Sequence, residues 1–77
     1  MEKIYDKKYI IGINHNDKEF FYNKVDGNDV EFVGIRSKAH LFKDEGSATF
    51  VKTFLLNNGY DAWVETFYVL KEELKID

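Results

Sequence analysis

The sequence predicts a small α+β domain: a mostly antiparallel sheet in the order β-β-β-α-β, with one helix packed on one face. Three observations predict it. Residues 8–35 alternate apolar and polar side chains with a period of two, broken by polar and Gly-containing turns. Residues 44–59 carry apolar side chains at helical spacing between an Asp and an Asn-Asn-Gly stop. Residues 61–70 return to a dense run of aromatic and β-branched residues. Three strands, a helix and a last strand are most simply joined as a sheet with the helix lying on it.

Tyr9, Ile11 and Ile13 alternate with Lys8, Gly12 and Asn14, while Ile10 adds an apolar residue on the second face of this first strand. His15-Asn16-Asp17-Lys18 is a polar turn, and Glu19-Phe20-Phe21-Tyr22-Asn23 follows as the second strand of a hairpin. Asp26-Gly27-Asn28-Asp29 is the strongest turn signal, because Gly and Asn accept the positive φ of tight hairpins. Residues 30–35 make a third strand, and residues 39–42 a short extended lead into the helix. Asp44 is the expected N-cap, its carboxylate accepting from free amides of the first turn. Ala48, Val51, Phe54 and Leu55 share one helix face, with Phe50 beside Phe54, so Val51, Phe54 and Leu55 are expected on the sheet. Asn57-Asn58-Gly59 ends the helix, Gly59 taking the left-handed position. Residues 71–77 read as a polar tail, either a last helical turn or a frayed end.

With 77 residues the chain is read as one domain, residues 1–77, with ends at 1–7 and 71–77 free to fray. Its seven Phe, five Tyr and one Trp supply a core that a disulfide or metal would otherwise have to supplement. The chain has no cysteine. That excludes a disulfide framework, a thiolate zinc site and a cysteine nucleophile, and it fits a reducing cytoplasm. Residues 1–8 are charged and lack an apolar segment, so no signal peptide is read, and no apolar run approaches a membrane span. A cytoplasmic protein is the expectation. The net charge of −3 comes from acids and lysines interspersed along the chain. There is neither the basic stripe of a nucleic-acid binder nor the dense carboxylate run of a DNA mimic.

The faces of the strands do not balance. In the last strand Ala62, Val64, Tyr68 and Leu70 share one face, while Trp63, Phe67 and Val69 share the other. In the second strand Phe20 and Tyr22 oppose Phe21. Both faces are apolar, and one helix covers one of them. An uncovered patch holding a Trp and a Phe marks an interface; the alternative is that the tails fold over it through Ile4, Tyr5, Leu74 and Ile76. Glu65 lies between Trp63 and Phe67 on the same face. A carboxylate there is a poor core residue and a reasonable rim residue, where a cation of a partner can meet it. Trp63, Glu65 and Phe67, with Phe21 from the second strand, are therefore the expected partner-binding residues.

The inventory for chemistry is short. His15 sits with Asn16 and Asp17 in a turn, too few ligands for a metal site. His40 stands before Asp44 and Glu45, where acids complement the helix dipole. Ser37 and Ser47 have no paired base in the sequence. Asp26-Gly27-Asn28-Asp29 lacks the ligand spacing and terminal glutamate of an EF-hand, and the five glycines are isolated rather than gathered in a phosphate loop. No catalytic residue, metal or cofactor is expected. Aromatic side chains on a sheet can also stack on single-stranded nucleic acid, with Lys8, Lys18, Lys24 and Lys38 flanking them. Asp26, Asp29, Glu31, Asp61 and Glu65 on the same elements would repel the phosphates.

Ala39-x-Leu41-Phe42-x-Asp44-x-x-x-Ala48, followed by Phe54 and by Gly59-Tyr60 before an apolar strand, forms a pattern over residues 36–70. It resembles short accessory proteins of phages and mobile elements from low-GC Gram-positive bacteria, whose Lys, Asn, Phe, Tyr and Ile bias this chain shares. The resemblance implies a host-directed role: an anti-CRISPR or other anti-defence inhibitor, or a small regulator of a host enzyme, acting by stoichiometric binding. The shared positions are structural, so no functional residue carries over. Three readings stand in order: a protein that blocks or modulates a larger host protein; a homo-oligomer, such as a homodimer, that buries the aromatic face and sequesters a small ligand; and a single-stranded nucleic-acid binder.

Overall fold

The computed structural model describes residues 2–74. It contains β1 (Glu2–His15), β2 (Lys18–Asp26), β3 (Asp29–Val33), a 3-10 turn (Arg36–Lys38), α1 (Glu45–Asn57) and β4 (Asp61–Leu74). The four strands form one antiparallel sheet in the order β3-β2-β1-β4. The α+β class and the β-β-β-α-β order are those the sequence predicts.

The two hairpin turns follow from local chemistry. His15 pairs with Lys18 across a two-residue loop in which Asn16 and Asp17 have φ of 54° and 64°. Two consecutive positive φ values match the right-handed twist of the flanking strands, and Asn and Asp are the side-chain-bearing residues that reach them most readily. Asp26 pairs with Asp29, and there Gly27 takes the positive φ, at 63°.

The helix is closed at both ends by its own sequence. The backbone N–H of Ser47 donates to Asp44 Oδ1 at 2.8 Å and the Ser47 hydroxyl to Oδ2 at 3.0 Å. These bonds hold the Asp44 carboxyl below the usual carboxylate range, the backbone bond being the larger cause. At the other end Tyr60 N–H donates to the Leu55 carbonyl and Gly59 N–H to that of Leu56, at 3.0 and 3.1 Å. With Gly59 at φ 87° this is a Schellman closure. Asp44→Ala is expected to lower the urea midpoint modestly without altering the slope of the transition, and to leave any partner binding intact.

Differences from expectation concentrate at the strand ends. Residues 2–7 and 71–74 do not form tails: they are the far half of a β1–β4 ladder that runs from Glu2↔Leu74 to Asn14↔Asp61. Each strand has 14 residues, and at about 3.3 Å per residue the ribbon sets the long axis of a molecule measuring 53 × 24 × 21 Å. A bulge opposite Ile4 and Tyr5, with Lys71 of β4 as its extra residue, lets the alternation adjust near its end. β3 stops at Val33, two residues short of the predicted end.

The connection from β3 to α1 does more than lead into the helix. β1 and β2 pair only from Gly12↔Phe21 to His15↔Lys18, and beyond that they part. Residues 39–42 fill the gap between them. His40 N–H donates to the Tyr22 carbonyl at 2.9 Å, and Tyr9 and Phe42 exchange backbone bonds at 3.0 and 2.8 Å. The chain here passes from one face of the sheet to the other. Ala39 packs with Ile10, Phe21, Val33 and Phe67, whereas Phe42 packs with Ile11, Ile13, Ala48 and Leu55. Asn23, skipped by the irregular pairing between Tyr22 and Lys24, donates through Nδ2 to the Lys38 carbonyl at 2.9 Å.

The larger core lies under the helix. Leu55 and Ala48 are fully buried against Ile11 and Ile13, with Val51 partly buried beside them, as the helical spacing predicts. Phe54 departs from the expectation. It is 47% exposed, and Phe50 is 77% exposed, because α1 lies over β1 and β4 and turns that flank away from the sheet.

Candidate functional site

Trp63, Glu65, Phe67 and Phe21 do lie on one face of the sheet, opposite the helix. Trp63 pairs with Gly12 in the β1–β4 register, and Phe21 pairs with the same glycine from the other side. The Trp63 indole lies across Gly12, so close that a Cβ there would sit 2.5 Å from its ring carbons Cε2 and Cζ2. The indole Nε1–H donates to Glu65 Oε1 at 2.8 Å. Arg36, from the 3-10 turn, donates through Nε to Glu65 Oε2 at 2.9 Å and through Nη2 to Glu65 Oε1 and Glu19 Oε2, each at 3.3 Å. Its guanidinium carbon stands 4.9 Å from the centroid of the Phe21 ring.

This ring of contacts closes part of the face from within the chain. The cation that meets Glu65 belongs to the same chain, and its hydrogen bonds hold the Glu65 carboxyl below the ordinary glutamate range. Phe21 is only 3% exposed and belongs to the core. Among the described residues the cover on this face comes from residues 36–39. Ile4 and Tyr5 extend β1, at 40% and 51% exposure, and Ile76 lies outside the described residues. Trp63 and Phe67 remain half-buried. A lone Arg in an exposed linker is the signal for this arrangement. Sequence alone could not aim it at a strand 29 residues later.

The more open apolar surface lies on the helix side. Because α1 packs on β1 and β4, the β2–β3 half of that face has no roof. Phe20, Val30 and Phe32 form a floor there, Ile13 and His15 one side, and Tyr60 the wall toward the helix, around a cleft of about 410 Å³. The Phe32 and Tyr60 rings lie 5.2 Å apart. Val30 and Tyr60 also border a neighbouring depression with Asn28, Asp29, Asn58 and Phe54, and Phe54 leads on to Phe50. Phe20, Val30 and Phe32 follow from the strand patterns, and Asn58 and Tyr60 from the helix end. What the sequence does not reveal is how far the helix reaches across the sheet.

His15 sits at the mouth of this cleft and His40 is exposed, 4.5 Å from the Phe42 ring centroid. Among the described residues no three His, Asp or Glu side chains gather where they could hold a metal ion. No described helix is long and apolar enough to cross a membrane. Comparison with protein-family models, with curated proteins and with solved structures finds no match.

Proposed function

We propose that this chain works by stoichiometric binding, taking an apolar segment of a larger protein into the cleft floored by Phe20, Val30 and Phe32. The observation that carries the reading is the helix placement, which leaves an aromatic floor open beside a rim of Asn28, Asp29 and Asn58. Aromatic rings in a concave site with a polar rim are what concentrates binding energy in a protein interface. The resemblance to phage accessory proteins supports a host defence or regulatory protein as the target, held in an inhibited or altered state.

The test is co-purification from the natural host with tagged protein, run with three forms of the chain. The wild type is expected to retain one protein at fixed stoichiometry. Phe32→Ala is expected to weaken that complex by about 2 kcal/mol, roughly thirtyfold, while its circular dichroism spectrum is unchanged. Trp63→Ala reports on the opposite face. A partner lost with Trp63→Ala and kept with Phe32→Ala moves the site to the Trp63 face. Identical proteins retained by all three forms overturn the assignment of either face.

A further inference from the structure

The two edges of the sheet are built differently. β3 is a short edge of five residues with Asp29 and Glu31 along it, the usual protection against pairing with another chain. β4 is the other edge, 14 residues long, and among the described residues nothing pairs its outer side. Five consecutive residues in it, Thr66-Phe67-Tyr68-Val69-Leu70, carry no charge and favour strand structure. Tyr68 and Leu70 point away from the Trp63 face, beyond the reach of the helix, at 60% and 48% exposure. Unpaired N–H and C=O groups along such an edge call for another extended strand, which alone satisfies them in series.

The order of charges says which strand. Glu65 and Lys71 bracket the uncharged run, each three residues from Tyr68. When two β4 edges meet antiparallel about a two-fold axis at Tyr68, each Glu65 comes beside the Lys71 of the other copy, the extra residue of the bulge where the β1–β4 register shifts. Phe67 then faces Val69, and Thr66 faces Leu70. The surroundings suit this: Arg36 is shared between Glu65 and Glu19, which leaves that cluster one positive charge short. Lys71 is 61% exposed, and among the described residues its ion-pair contact is one of 3.9 Å with Asp6, an exposed pair worth little. We propose that this chain forms a two-fold homodimer by antiparallel pairing of β4 with β4 of a second copy, which joins the two sheets into one. The pairing is isologous and therefore closes at two copies. It lies across the sheet from the β2–β3 cleft, so the dimer presents two open clefts.

Size-exclusion chromatography with light scattering on the full chain tests this, with circular dichroism as the check on folding. The wild type is expected to be a dimer. Tyr68→Lys and Tyr68→Glu each place like charges on the axis and are expected to weaken self-association by roughly a hundredfold or more. An equimolar mixture of the two is expected to restore the dimer, because residue 68 meets its own counterpart. Lys71→Glu, at an exposed position, is expected to be monomeric and carries the test should a Tyr68 variant misfold. A monomeric wild type, a dimer that survives these variants, or a mixture that stays monomeric overturns the proposal. Phe32→Ala is expected to leave the dimer unchanged, so this outcome and that of the cleft are read separately.

Discussion

Replacing Leu55 with alanine is expected to destabilise the protein by about 2–5 kcal/mol. Leu55 is fully buried and, with Ala48, joins α1 to the core of Ile11, Ile13 and Phe42. Truncating it removes the transfer energy of the lost methyl groups and leaves a cavity between helix and sheet that neither can close. A domain of this length has roughly 4–12 kcal/mol of total stability, so the loss is a large fraction of the whole. Urea denaturation followed by circular dichroism measures it. Phe54→Ala is the control: although larger, Phe54 is half exposed and its truncation is expected to change the midpoint little. An unchanged melting temperature for Leu55→Ala, or a larger loss for Phe54→Ala, would mean that α1 docks through a different face.

The fold was legible because each element announces itself within a few residues. Asn16-Asp17 and Gly27 set the two hairpin turns, and Asp44 and Gly59 close the helix. The strand ends were less legible because residues 2–7 and 71–74 are charged and lie where one expects tails. They are in strands because each supplies the other with a partner, a long-range fact that no local pattern encodes. The same holds for residues 39–42, whose place between β1 and β2 depends on the two strands diverging.

The site was legible by composition and not by geometry. Alternation correctly put Trp63, Glu65 and Phe67 on one face, and Phe20 and Tyr22 opposite Phe21. Period-two reasoning cannot say which face an exposed linker will cross, so Arg36 stayed invisible as the partner of Glu65. Nor can a helical wheel say that a helix of 13 residues will lie over β1 and β4 and leave β2 and β3 open. Phe54 is the residue that records this. Its spacing predicts a core position, and it borders the open surface because of the angle at which the helix lies.

The second large effect is expected at a residue with no side chain. Gly12→Ala is expected to destabilise the protein by about 1–3 kcal/mol, the usual range for forcing extra volume into a packed site. Its φ is ordinary for a strand, so the reason is the close approach of the indole and not backbone freedom. The added Cβ meets rigid ring atoms at 2.5 Å, a distance that only displacement of Trp63 can relieve. Displacement breaks the Nε1–H bond to Glu65 and loosens the carboxylate that holds Arg36 over Phe21. Trp63 is the only tryptophan in the chain, so its fluorescence reports the movement directly. A red-shifted emission maximum is expected together with the lower urea midpoint. The double-mutant cycle makes the cause specific: once Trp63→Ala has removed the ring, adding Gly12→Ala is expected to cost almost nothing further. Equal costs of Gly12→Ala in both backgrounds would show that Gly12 is needed for the strand itself and that the indole is not what it accommodates.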